Sequence, residues 1–389
     1  MGSAVGASGN ASDQTSGITP ITTLSGDGST LPYTAASTSP TRFNGTGVGF
    51  QVYHAAVPKI YQWNVAVQRE INTNTVAELS YVASHGFNLN RPTDLDQVPA
   101  SGRTSVQDAA NQPYTQYTSV SGNMHDAISN YDSLQASIST RMSHGFSYGF
   151  NYVWSHFLDE QDSSGWGSHM GAQYYQDAYN ARANYSNSNF DVRHNFKGQV
   201  VYALPIGKGK PFLNRNTLID AAIGGWQVAG TIHLATGQPF TVVSNQATWA
   251  RAGSAFPNWS GLSARPKHRS THCMSGYSGC ANQWYDPAAF TKPADGTFGN
   301  VRRNSLYGPG LSQVNLSGSK TFSIPWKGVK LQVRADANNA LNHASFGLPT
   351  ATLSGATNAG DQYTYSGTQQ ISGTTMSGRT VQLGMRLTY

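Results

Sequence analysis

Three short stretches carry residues whose types and spacing bear on chemistry. "HRSTHCMSGYSGC" (268–280) holds His268, His272, Cys273 and Cys280. Imidazole and thiolate are zinc ligands, but this spacing matches no standard finger. A local disulfide between Cys273 and Cys280 in an oxidising compartment is the plainer expectation. "LDEQDSS" (158–164) gathers Asp159, Glu160 and Asp162. Such oxygens suit calcium, and a solvated acidic start to a loop explains them with less. "GKGK" (207–210) has the residue types of a phosphate loop. It lacks the P-loop spacing and a following helix, so a flexible basic turn is expected. No Ser-His-Asp arrangement, paired carboxylates or nucleophile elbow stands out, so no enzyme and no cofactor is expected.

The elements that must position these residues are strands. Charged residues are only 11% of the 389, against roughly 25% in soluble proteins. Hydrophobic residues reach 38%, while Gly (41) and Tyr (20) are abundant. That balance suits an all-β protein whose strands have a polar face. A net charge of +6 raises nucleic acid, but Lys and Arg are scattered singly, and phosphate neutralisation needs a cluster. No apolar run approaches the ~18 residues of a membrane helix, and the first thirty residues lack the pattern of a signal peptide.

Alternating stretches recur at 59–70, 75–86, 131–142, 145–157, 193–205, 223–236, 310–323, 329–341 and 379–389. Each is about twice the ~5–6 residues usual in globular strands, and close to what a tilted strand needs to cross a bilayer. Short connections alternate with long ones rich in Gly, Ser, Asn and Tyr, at 87–130, 158–192, 237–309 and 342–378, and 206–222 is intermediate. Short periplasmic turns and long external loops are the rhythm of an outer-membrane barrel. The last strand then runs toward the periplasm and ends there on Tyr389.

The faces fit the same reading. Phe146, Tyr148, Phe150, Tyr152 and Trp154 share one parity, and Ser147, Gly149, Asn151 and Ser155 the other. Charges fall mid-pattern on the polar parity at Glu78, Arg141, Lys197, Arg334, Asp336 and Arg386, where they are expected to line a wet lumen. Arg69 and Lys320 fall on the apolar parity near the periplasmic ends, where long side chains snorkel. Aromatics gather at strand ends, Tyr61 and Trp63 at one rim and Phe322 and Tyr389 at the other, as girdles do. In the long loops, Trp166, Tyr174, Tyr175, Trp249, Trp259 and Trp284 are candidates for stacking a sugar or peptide.

Several stretches resemble the C-terminal barrel region of Oar-like TonB-dependent transporters. They include "YQWNVAVQREINTNTVAELSYVASHG" (61–86), "YDSLQASISTRMSHGFSYGFNYVWSHFLD" (131–159) and "DVRHNFKGQVVYALPIGKGK" (191–210). "GGWQVAGTIHLATGQPFTV" (224–242), "RRNSLYGPGLSQVNLSGSKTF" (302–322) and "LQVRADANNALNHASFG" (331–347) follow in the family's order. The resemblance implies an antiparallel transmembrane barrel of ~22 strands in the outer membrane, of which these nine would be the C-terminal part. It implies uptake of a ligand driven by a TonB-type energy-coupling protein acting through a plug region. It also implies that the terminal strand, Val381, Leu383, Met385, Leu387 and Tyr389, is the signal read by the barrel-assembly machinery.

Residues 59–389 are thus expected to form the barrel part and 1–58 a Gly/Ser/Thr-rich external loop or disordered segment, in a fragment of a longer transporter. The alternatives are a secreted, soluble carbohydrate-binding or adhesin β-protein, and a secreted hydrolase whose catalytic pair is not found.

Overall fold

The computed structural model describes residues 44–99, 109–162, 175–207, 209–212, 224–245, 255–264, 284–323, 329–364, 371 and 373–389. Nine long strands dominate: β1 (Lys59–Asn72), β2 (Thr75–Asp94), β3 (Ser119–Thr140), β4 (Phe146–Asp159), β5 (His194–Ala203), β6 (Trp226–Ala235), β7 (Leu311–Ser323), β8 (Lys330–Asn338) and β9 (Thr380–Thr388). They pair in chain order from β1 to β9, every neighbour antiparallel. The result is an up-and-down sheet with two open edges. Every residue of both edge strands, β1 and β9, is exposed.

Local chemistry sets the tight ends. His144 and Gly145 have φ of 50° and 83° and sit between the paired Ser143 and Phe146. Positive φ at both central residues is the signature of a type I′ hairpin, whose twist matches the strands. The opposite ends carry the long connections. Two strands run further toward that end than their alternation predicts. Residues 87–94 and 119–130, expected as loop, are paired extensions of β2 and β3. Phe87 and Leu89 share their parity with Arg91, and Val120, Met124 and Ile128 share theirs with Asp126, so no clean period-two signal marks these extensions. They are held by Arg91, which donates from Nε and Nη2 to the two oxygens of Asp126 at 2.9 and 2.7 Å and is 2% exposed. Within the span expected as loop or disordered, Gly47–Gln51 is a short strand running parallel to Ser119–Asn123.

The hydrophobic core cluster of the described residues lies outside the sheet. Phe240, Val242, Trp284, Tyr285, Phe290, Val301, Leu353 and Tyr363 pack together from the connections after β6 and β8. Burying a side chain such as Phe290, 0% exposed, contributes about 1.5–3 kcal/mol. These connections fold as a cap. The apolar residues of the strands, by contrast, stay uncovered on one face: Val65, Val67, Leu79, Leu134, Trp154, Val228, Leu316, Leu383 and Met385 are all exposed.

Register shows that they share that face. Val65 lies opposite Tyr81, Tyr81 opposite Leu134, and Leu134 opposite Trp154. Phe146, Tyr148, Tyr202, Trp226 and Phe322 mark its short-turn end. Phe146 and Trp154 are eight residues apart on β4. At roughly 3.3 Å per residue and roughly 40° of tilt, that separates the aromatic ends by about 20 Å, near the ~25 Å apolar band of a barrel. Lys320 shares this face and does not snorkel as expected. It is 4% exposed, with Nζ 4.9 Å above the Phe322 ring, while Arg69 is exposed.

Candidate functional site

The opposite face is a continuous polar surface. Gln68, Glu78, Ser137, Asn151, Lys197, His233 and Gln313 lie opposite one another from strand to strand across β1 to β7. Nearer the short turns, Ser319 meets Arg334, Gln332 meets Arg386, and Asp336 meets Gln382. Glu78, Lys197, Arg334, Asp336 and Arg386 therefore fall on one face of one sheet. Arg141 does not. It follows the end of β3 and its backbone N–H donates to the Asn74 carbonyl in the neighbouring turn. Within the row, Arg334 Nε donates to Asp336 Oδ1 at 2.8 Å. Lys197 has no ion-pair partner among the described residues.

A polar hollow of about 320 Å³ opens around that lysine, between Asn151, Gln199, Thr231, His233 and Asn315. His233 also lines a second cleft of about 380 Å³, which runs under the cap past Asn195, Phe346, Leu348 and Met376. His233 Nε2 lies 3.1 Å from Asn195 Oδ1, and Asn315 Nδ2 donates to Thr231 Oγ1 at 3.2 Å. Amides both donate and accept, and one cation sits among them. This lining suits a polar or anionic ligand whose apolar part reaches up toward Phe346 and Leu348. Alternation puts Asn151, Asn195 and His233 on the polar parity of their strands, but the sequence reading singles out only formal charges and assigns Asn315 to no face. Their strand neighbours across the sheet make them a site.

Above the hollow, the loops are locked by Arg303, which is 2% exposed. Its guanidinium donates to both Asp159 and Asp162, and to the Asp159 carbonyl at 2.7 Å. Asn304 beside it exchanges hydrogen bonds with Thr241 and donates to Asn187 and Asn189. Glu160, 1% exposed, accepts from the Ile128 backbone N–H. The acidic stretch is thus neither a calcium site nor a solvated loop start, because a distant arginine neutralises it in a dry setting. These groups lie beyond the spanning part of the strands. Burial pushes the Asp159 carboxyl up to about 7, against the downward pull of Arg303.

The loop aromatics divide. Tyr175 is 6% and Trp284 8% exposed, against the expectation that they stack a ligand. The Tyr175 hydroxyl accepts from the Asp94 N–H, and Trp284 Nε1 donates to the Tyr307 carbonyl. Both hold the loops together instead. Trp259 remains 40% exposed, edge-on to Phe290. Trp166, Tyr174, Trp249, Cys273 and Cys280 lie outside the described residues. Among the described residues, no three metal-ligating side chains gather.

The profile of a family described as outer membrane beta barrel domain matches residues 3–382. Among curated proteins, none matches the chain. A solved structure similar to it is the outer membrane transporter YddB from Escherichia coli, at 12% identity and a TM-score of 0.44, covering 88% of this chain and 34% of that one. The chain thus spans about a third of that protein's length.

Proposed function

The chain belongs to the outer membrane β-barrel domain family and resides in the outer membrane, and from this we propose that it is wall and mouth of a TonB-dependent transporter of the Oar-like kind. The observation that carries the reading is the pairing of faces: an uncovered apolar face backed by a polar face that stays in register across the sheet. Lipid solvates the first, and the second lines an aqueous interior. The hollow at Lys197 and His233, continued by the cleft beneath the cap, receives the incoming ligand, a saccharide or a peptide.

Two open edges support membership in a larger wall, since unpaired backbone groups are untenable in lipid. β1 and β9 run in the same direction, because an even number of antiparallel steps separates them. Antiparallel neighbours at both edges therefore require an odd number of further strands, and a barrel of ~22 leaves an odd remainder. In this reading the plug region and its contact with the energy-coupling protein lie outside the nine strands. The terminal residues Val381 to Tyr389 are the strand read by the assembly machinery.

Labelling in native outer membranes tests the reading. Cysteines at Val200 and Leu383 are expected to take up bimane that brominated lipid tails quench. Cysteines at Gln199 and Arg386 are expected to answer to water-soluble iodide. The reverse pattern would end the proposal. For transport, ligand retained on protein purified from cells lacking the coupling protein, and lost from cells that have it, is the expected sign of energised release.

A further inference from the structure

The apolar face changes character at one level. Above Leu134 and Trp154, the next residues on the same parity are Asp132, opposite His156, and Asn130, opposite His85. Beside them His194 lies opposite Trp154. This belt stands at the loop end of the apolar band, where lipid headgroups begin. It is ordered: Tyr81 Oη donates to Asp132 Oδ1 at 2.5 Å, and His156 Nε2 lies 3.0 Å from Asn187 Oδ1. Arg193 Nη2 donates to the same oxygen at 3.3 Å.

A cleft of about 350 Å³ opens there between Tyr81, Asp132, Leu134, Trp154, His156 and Arg193. It belongs to β2 to β5, in the middle of the sheet, so strands added at the open edges leave it uncovered. Trp154 is 53% and Tyr81 40% exposed, large aromatic planes open to the outside. Asp132 Oδ2 carries no partner among the described residues.

An aromatic wall beside a carboxylate, an imidazole and a guanidinium is the chemistry that holds a sugar ring. The ring's C–H face lies on the indole, its hydroxyls donate to the carboxylate, and its oxygens accept from arginine and histidine. Leu134 and the apolar face below continue the cleft in a direction only an acyl chain would follow. We propose that this cleft binds the saccharide headgroup of a glycolipid in the surrounding outer leaflet. The proposal rests on the apolar face being lipid-facing. A phospholipid offers no ring to the indole, and a free sugar leaves Leu134 unused.

The test uses the protein purified from outer membranes and placed in phosphatidylcholine nanodiscs, with native mass spectrometry as readout. Lipopolysaccharide, phosphatidylglycerol and a soluble glucosamine disaccharide are offered separately. Retention of lipopolysaccharide well above the other two is expected, with Trp154→Leu and Asp132→Asn each lowering it about tenfold, the loss of one stacking or charged contact. Heat-modifiable migration on gels checks that the variants fold. Unchanged retention in folded variants, or equal retention of the soluble disaccharide, overturns the proposal. A bimane at Val200→Cys in the same discs, quenched by brominated tails, separates the two ideas. If it is quenched while the variants bind normally, the headgroup site alone fails; without quenching, the lipid-facing reading fails and the proposal with it.

Discussion

At the residue scale, the external loops depend on charges that sequence order scatters. Arg303 meets Asp159 and Asp162 across more than 140 positions of chain, so no local pattern announces it. Removing it leaves two carboxylates in a dry setting, and Arg303→Met is expected to cost about 3–5 kcal/mol of cap stability, as for other broken buried pairs. Asp159 adds a pH dependence whose sign follows from its raised value of about 7. An unfolded aspartate loses its proton near pH 4, whereas the folded one holds it to about 7. The folded cap binds more protons across that window, so its stability falls as pH rises from about 4 to about 7 and is flat above. Hydrogen exchange of the cap amides is expected to show stronger protection at pH 5 than at pH 7.5. Asp159→Asn flattens that difference. Equal slopes in the two proteins would remove Asp159 from the account. The aromatic residues teach a related lesson. Tyr175 and Trp284 read as exposed loop aromatics because composition marks a loop without revealing that the loop has its own core.

At the element scale, far more was legible. Period-two alternation located all nine strands, since a face solvated by lipid must be apolar at every second residue. It failed at 87–94 and 119–130, where both faces meet water or the cap and the constraint lapses. The alternating stretches 131–142 and 145–157 leave Ser143 and His144 between them, whereas the two left-handed residues are His144 and Gly145. There a Cβ on Gly145 would stand 2.9 Å from the Ala203 carbonyl. Gly145→Val is therefore expected to lower stability by at least ~1–2 kcal/mol, the cost of a left-handed β-branched residue, read as a fall in the urea midpoint of unfolding from liposomes. Parity makes a sharper prediction on β9. Leu383→Arg puts a charge on the apolar face and is expected to cost about 2–4 kcal/mol near the bilayer midplane. Gln382→Arg, one residue away on the polar face, is expected to change stability little. Equal losses from the two would show that the faces are not solvated differently.

At the scale of the whole molecule, the question is what the open edges meet. Every inner strand has a paired neighbour on each side, yet β1 and β9 each leave one side without a neighbour. One resolution is closure of the nine strands on themselves, with a parallel seam between β1 and β9. The other is a wider wall in which further strands stand between them. The two differ in a distance. In a self-closed ring, Val65 and Leu383, both near the middle of their strands on the apolar face, would approach within the roughly 4.4–6.8 Å between Cα atoms that a disulfide tolerates. In the wider wall they stay several strands apart, at roughly 4.8 Å per strand. A pair known to be adjacent calibrates the experiment, since Ala335 and Leu383 are register partners. With oxidant in native membranes, Ala335→Cys/Leu383→Cys is expected to cross-link almost fully, and Val65→Cys/Leu383→Cys not at all. A strong link in the second pair would make nine strands a closed barrel in themselves. It would also leave too narrow an interior for a plug, and transport through this wall would have to be abandoned.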